Sequence, residues 1–263
     1  GDRDGDIAPV GGKNQVVGRE VARSTSATGS PMRPPPIAIS KPARRPARRC
    51  SFPDSAKMPI QEIYNEVAAY AREIHENYGN YAGYTILHTP NIVRPSVLFI
   101  GRNPAGNAGE LADTTFPPPQ NQITELPHRY FLLCTALFDR AGQRQALDTA
   151  QSTDVFFFRT PNTHQNNPLM PNDAQVGPNC VKWLNRLIVC LQPQRIVIVG
   201  SHAKTALTNH LTPFDNSPTV QNFIINDLHI PTVCLGHFSN SYARQPSYES
   251  DITAIRQLFS FQQ

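Results

Sequence analysis

Four short apolar runs set the limits on what this chain can fold into. Val97-Leu98-Phe99-Ile100, Val155-Phe156-Phe157-Phe158, Ile196-Val197-Ile198-Val199 and Thr232-Val233-Cys234-Leu235 are continuous rather than alternating. Continuity of this kind suits strands covered on both faces. Helical signals lie between the runs, at 127–141, 177–191 and 201–211, and again after the last, at 247–259. Repeated β-then-α units predict a parallel sheet with helices on both faces. The expected fold class is α/β, a three-layer α/β/α domain around a mainly parallel four-stranded sheet. The stretch Asn222-Phe223-Ile224-Ile225 is a candidate short strand or hairpin ahead of the fourth run.

Two domains of organisation are expected, 1–57 and 58–263. The first 57 residues hold Gly, Ser and Pro clusters and few large apolar side chains, so they cannot bury enough surface to offset their ordering entropy. They read as a disordered Pro/Arg-rich leader. Its densest part is Lys41-Pro42-Ala43-Arg44-Arg45-Pro46-Ala47-Arg48-Arg49. That stretch is read either as a nucleic-acid-binding or targeting arm, or as a solvated extension ahead of a start at Met58. From Pro59, which suits a first helical position, Ile60, Ile63, Tyr64, Val67, Ala71 and Ile74 recur at helical spacing, and Gly79 is placed to end the helix.

Charge follows the same division. The leader holds 11 of the 24 Lys and Arg residues and 5 of the 20 Asp and Glu residues, which leaves 13 against 15 for the remainder. The folded part is near neutral, and strong non-specific phosphate attraction by the domain itself is not implied. The five cysteines, Cys50, Cys134, Cys180, Cys190 and Cys234, form no C-x-x-C pair and are expected to be free thiols. No metal site or cofactor is expected. No apolar run reaches the ~20 residues of a membrane span, and no secretory h-region leads the chain. An intracellular protein without a membrane partner is the expectation.

In an open α/β sheet, ligands bind beyond the carboxyl ends of the strands. Gly101-Arg102-Asn103-Pro104-Ala105-Gly106 follows the first run, and Gly236-His237-Phe238-Ser239-Asn240 follows the fourth. An amide fixed between Gly101 and Pro104 can position a water. An imidazole on the second loop can meet it in one pocket, followed by Ser239, Tyr242 and Arg244, groups suited to phosphate contact and base stacking. Each loop also has a plainer reading, a structural turn for Asn103 and a hydrogen-bonded core residue for His237. Arg159-Thr160-Pro161-Asn162, after the second run, can read a base edge or stabilise its own surface loop. Ser201 is read as the N-cap of the following helix, and His202 as a structural or surface residue.

Over roughly residues 93–259, these loops in this order resemble the uracil-DNA glycosylase superfamily. Gly101-Arg102-Asn103-Pro104 is similar to its first motif, G-x-[DN]-P, in the Asn form of the mismatch-specific and single-strand-selective branches. Gly236-His237-Phe238-Ser239 is similar to the second motif, H-P-S. Arg195-Ile196-Val197-Ile198-Val199-Gly200-Ser201-His202-Ala203 resembles the strand-Gly-x-x-Ala step, and His128-Arg129-Tyr130-Phe131 the aromatic helix start. The resemblance implies a glycosylase-like fold and extrusion of a base from DNA. It implies that Asn103 positions the attacking water and that His237 donates to the developing base oxyanion. By the same resemblance, Phe116 stacks on the base, Gly101, Arg159 and Asn162 line its pocket, and Ser239 contacts phosphate. Four positions depart from the family pattern. Phe238 replaces the motif proline, and Arg159 stands where the fast enzymes carry an Asn at the end of the second strand. Ser241 stands at the wedge position, leaving Tyr242 or Arg244 to fill the gap. Ala105 is small where uracil-only enzymes carry Tyr.

The expected function is a monomeric DNA glycosylase of base excision repair, acting on uracil or a related damaged base. The alternatives are a non-catalytic nucleobase- or DNA-binding protein of the same fold, and a small-molecule hydrolase or transferase. The last would need a Gly-x-Ser-x-Gly nucleophile or spaced metal ligands, and the sequence has neither.

Overall fold

The computed structural model describes residues 54–78, 83–90, 93–104, 123, 129–159, 173–214, 217–238 and 247–261. The leader up to residue 53 lies outside them, as do Ala105, Phe116, Asn162, Ser239, Ser241, Tyr242 and Arg244. The chain forms α1 (Asp54–Tyr78), β1 (Leu98–Gly101), α2 (Arg129–Ala141), β2 (Gln151–Asp154), α3 (Asp173–Leu191), β3 (Ile196–Val199), α4 (Ser201–Ala206), β4 (Leu211–Phe214), β5 (Ser217–Ile225), β6 (Leu228–Leu235) and α5 (Ser247–Ser260). No described helix is long and apolar enough to cross a membrane. The four described cysteines are free.

The sheet has six strands in the order β2-β1-β3-β6-β5-β4. The expected parallel unit is present as β2-β1-β3-β6. The expectation of four strands is corrected by an antiparallel edge, in which β5 pairs with β6 and β4 with β5. The candidate strand at Asn222–Ile225 is the end of β5. The helix expected over 201–211 stops at Ala206, because Leu211 leaves it to pair with Phe223 in the edge ladder.

Strand parity explains the two cores. Leu98, Ile100, Ile196 and Ile198 pack with α1 and α3, while Val97, Phe99, Val197, Val199, Val233 and Leu235 pack with α2 and α5. Successive side chains point to opposite faces, so continuous apolar strands need helices on both. The expected stripe of α1 is buried at Ile60, Ile63, Tyr64, Val67, Ala71 and Ile74. The helix begins at Asp54, so residues 54–57 belong to it rather than to a leader, and Pro59 lies inside it. On its outer side Glu66 accepts from Trp183 Nε1 at 2.9 Å and from Arg186 Nη1 at 2.6 Å, tying α1 to α3.

The second strand corrects the expectation most. It is the polar run Gln151-Ser152-Thr153-Asp154, not 155–158, and all four residues are buried. Buried polar groups need partners, and the segment 83–90 supplies them. Thr89 Oγ1 donates to Gln151 Oε1 at 2.9 Å, Thr153 Oγ1 donates to the Ile86 carbonyl at 2.6 Å, and Gln151 Nε2 donates to the Pro90 carbonyl. The His88 amide donates to the Ser152 carbonyl at 2.9 Å. Val155–Phe158 follow the strand and fill the core on the α1 and α3 side.

Candidate active site

Register brings the strand ends to one edge. Thr153, Ile100, Ile198 and Cys234 form one row across β2, β1, β3 and β6. Asp154 with Gly101, and Val199 with Leu235, form the next. Asn103 and His237 each lie two residues beyond that row. Their strands are separated by β3 alone, two strand spacings or about 10 Å.

The His237 loop is fixed from two sides. The Gly236 amide donates to Asp251 Oδ2 of α5 at 2.9 Å. Phe238 is buried, with its ring 5.0 Å from that of Tyr130 at the start of α2. The departure from the motif proline therefore anchors the loop through an aromatic side chain. His237 itself is exposed, and its ring crosses Gly200. A Cβ built on Gly200 would stand 3.5 Å from His237 Cδ2, in ordinary contact. Gly200 has φ 89° and ψ 152°, a region essentially confined to glycine. Gly200, not Ser201, is the N-cap of α4, and no side chain caps that end.

The Asn103 loop is held by continuation of the β1 ladder. The Val155 amide donates to the Gly101 carbonyl at 2.9 Å and the Phe156 amide to the Arg102 carbonyl at 2.8 Å. Asn103 Nδ2 donates to the Pro104 carbonyl at 3.2 Å. A cleft of about 300 Å³ opens beside this loop, lined by Arg102, Phe156, Ser201, His202, Thr205 and Ala206. That volume is at the lower end for small-ligand sites. Neither Asn103 nor His237 lines it, so the cleft and the two loop residues are distinct features of one edge.

The expected end of the second strand is reassigned. The second strand ends at Asp154, so Asp154, not Arg159, stands at its end. The Arg159 amide donates to the Gly83 carbonyl at 2.9 Å, and its Nη2 donates to Thr85 Oγ1 at 2.9 Å, which ties it to the segment flanking β2. Gly101 lies beneath a carboxylate. A Cβ there would overlap Asp154 Oδ1.

A pair that sequence reasoning missed lies at the same edge. His88 Nε2 donates to Asp154 Oδ2 at 2.7 Å, and the side chains are 16% and 9% exposed. The partners are 66 residues apart in the chain, and neither stands in a motif. Tyr130 is close by. Burial, then the Cys134 thiol and the Asp154 charge, push its hydroxyl well above the usual tyrosine range. Its phenol therefore stays protonated. No protein-family model and no curated protein matches the chain.

Proposed function

We propose that the chain is a DNA N-glycosylase on a uracil-DNA glycosylase-like scaffold, hydrolysing the bond between the sugar and uracil or a related damaged base. Asn103 positions the water, and His237 donates a hydrogen bond to the leaving base. The observation that supports this reading is that the Asn103 and His237 loops leave the same carboxyl edge of the sheet, from strands two apart. The residues on either side of the exposed His237 are anchored, Gly236 by the Asp251 carboxylate and Phe238 by burial. Preorganised donors of this kind act where negative charge develops. The reaction is proposed to need no metal or redox cofactor, and the substrate to be DNA bound by a monomer.

A non-catalytic nucleobase- or DNA-binding protein is the second reading. The Asn103 amide favours it, since one of its donors is engaged on its own loop. The test is incubation with labelled oligonucleotides carrying uracil, hypoxanthine or xanthine, followed by alkali. Strand breaks at the modified base are expected. Binding of these oligonucleotides without release of any base assigns the second reading.

A further inference from the structure

We propose that Asp154 is the proton acceptor of this site and that His88 is its positioning residue. The inference rests on the glycosylase reading above, because a hydrolysis needs a group to take the water's proton and an amide at Asn103 has no such capacity. Two described carboxylates stand at this edge, Asp154 and Asp251. Asp251, on α5, holds the Gly236 amide on the β6 side of the edge, whereas Asp154 pairs with Gly101 at the end of β1, the strand that leads to Asn103. Asp154 is buried at the strand end, and one of its oxygens, Oδ2, is taken by His88. The other, Oδ1, lies over Gly101, two residues from Asn103, in the space that a side chain at 101 would occupy. A carboxylate withdrawn from water is costly unless its partners fix it. Here one partner orients it and a missing Cβ makes room for it. In this proposal the second oxygen takes the water's proton, with the orienting residue behind the carboxylate.

The step balances as follows. The water oxygen bonds to the sugar C1′ while its proton passes to Asp154 Oδ1. The bond from C1′ to the base nitrogen breaks, and its electron pair leaves on the base. The base anion, held by His237, takes a proton from solvent, and Asp154 releases its own.

The test is single-turnover base release by the full chain, with affinity for an uncleavable substrate analogue measured in parallel. Asp154→Asn should lower the rate by at least about 10²-fold, with analogue affinity nearly unchanged. His88→Gln, which retains an N–H donor, should keep most of the rate, whereas His88→Leu should lose it. Should Asp154→Asn fail to fold, the Gln and Leu pair carries the test. Equal rates for His88→Gln and His88→Leu, or an Asp154→Asn loss that falls equally on affinity and rate, each overturns the assignment. Absence of base release by the unmodified protein instead overturns the glycosylase reading, and this proposal with it.

Discussion

Gly101→Ala isolates the contact on which the geometry of this edge depends. The added methyl overlaps Asp154 Oδ1. The next nearest atoms are Asp154 Cγ at 3.5 Å and the Thr153 carbonyl at 3.9 Å, both ordinary contacts. Gly101 is in extended strand backbone and does not need a positive φ. Elsewhere such a change would gain about 0.4–1 kcal/mol from reduced unfolded-state entropy. Here Asp154 must move from a buried position or lose its 2.7 Å bond to His88. Overpacking costs about 1–3 kcal/mol, and a hydrogen bond to a charged group is worth about 1.5–3 kcal/mol. These are two outlets for one strain and do not add, and the unfolded-state gain offsets part of it, so the expected net loss is about 1–2 kcal/mol. For a folded part of this size that lowers the melting midpoint by about 2–8 °C. The decisive measurement is a double-mutant cycle. In an Asp154→Ala background the methyl meets nothing closer than the Thr153 carbonyl, and Gly101→Ala should be neutral or slightly stabilising. Urea unfolding followed by fluorescence of Trp183, the sole tryptophan, buried in α3, reads all four proteins. An equal loss in both backgrounds would refute the overlap as the cause, and so would no loss in either.

Gly200→Ala should cost about 1–3 kcal/mol through backbone strain alone, since the His237 ring leaves room for a methyl. An unchanged unfolding midpoint in urea would contradict it. Glu66 is held below its ordinary value of 4.5, first by its hydrogen bond to Arg186. A depressed carboxylate contributes stability above its unfolded value and loses it as pH falls through the folded one. Glu66→Gln should therefore destabilise by under about 1 kcal/mol at pH 7 and low salt, the pair being half exposed. That difference should vanish in acid below the folded value, and a difference that grows on acidification would reverse the assigned sign. His237→Ala should slow base release by about 10²-fold or more with little change in analogue affinity. Equal losses in both would make His237 a recognition residue.

Where burial is two-sided and apolar, the sequence alone was sufficient. Val97–Ile100, Ile196–Val199 and Thr232–Leu235 lie within or one residue from β1, β3 and β6, because a continuous apolar run has few other ways to leave water. The stripe on α1 was legible for the same reason, through its 3.6-residue period. The placement of Asn103 and His237 just past strand ends followed from those runs. What the sequence could not supply is every feature whose partners are distant in the chain. Gln151-Ser152-Thr153-Asp154 has no strand signature of its own, and its burial is stabilised by hydrogen bonds from a segment more than sixty residues earlier. The more apolar 155–158 drew the expectation away from it. The β4 and β5 edge likewise owes its form to pairing with β6 rather than to local propensity. The His88–Asp154 pair, the glycine beneath it and the anchoring of the His237 loop through Gly236 and Phe238 exist only in the folded chain. Hydrophobic periodicity is a local property that a sequence carries openly. The satisfaction of a buried polar group is a property of two places in the chain at once, and only the tertiary structure brings them together.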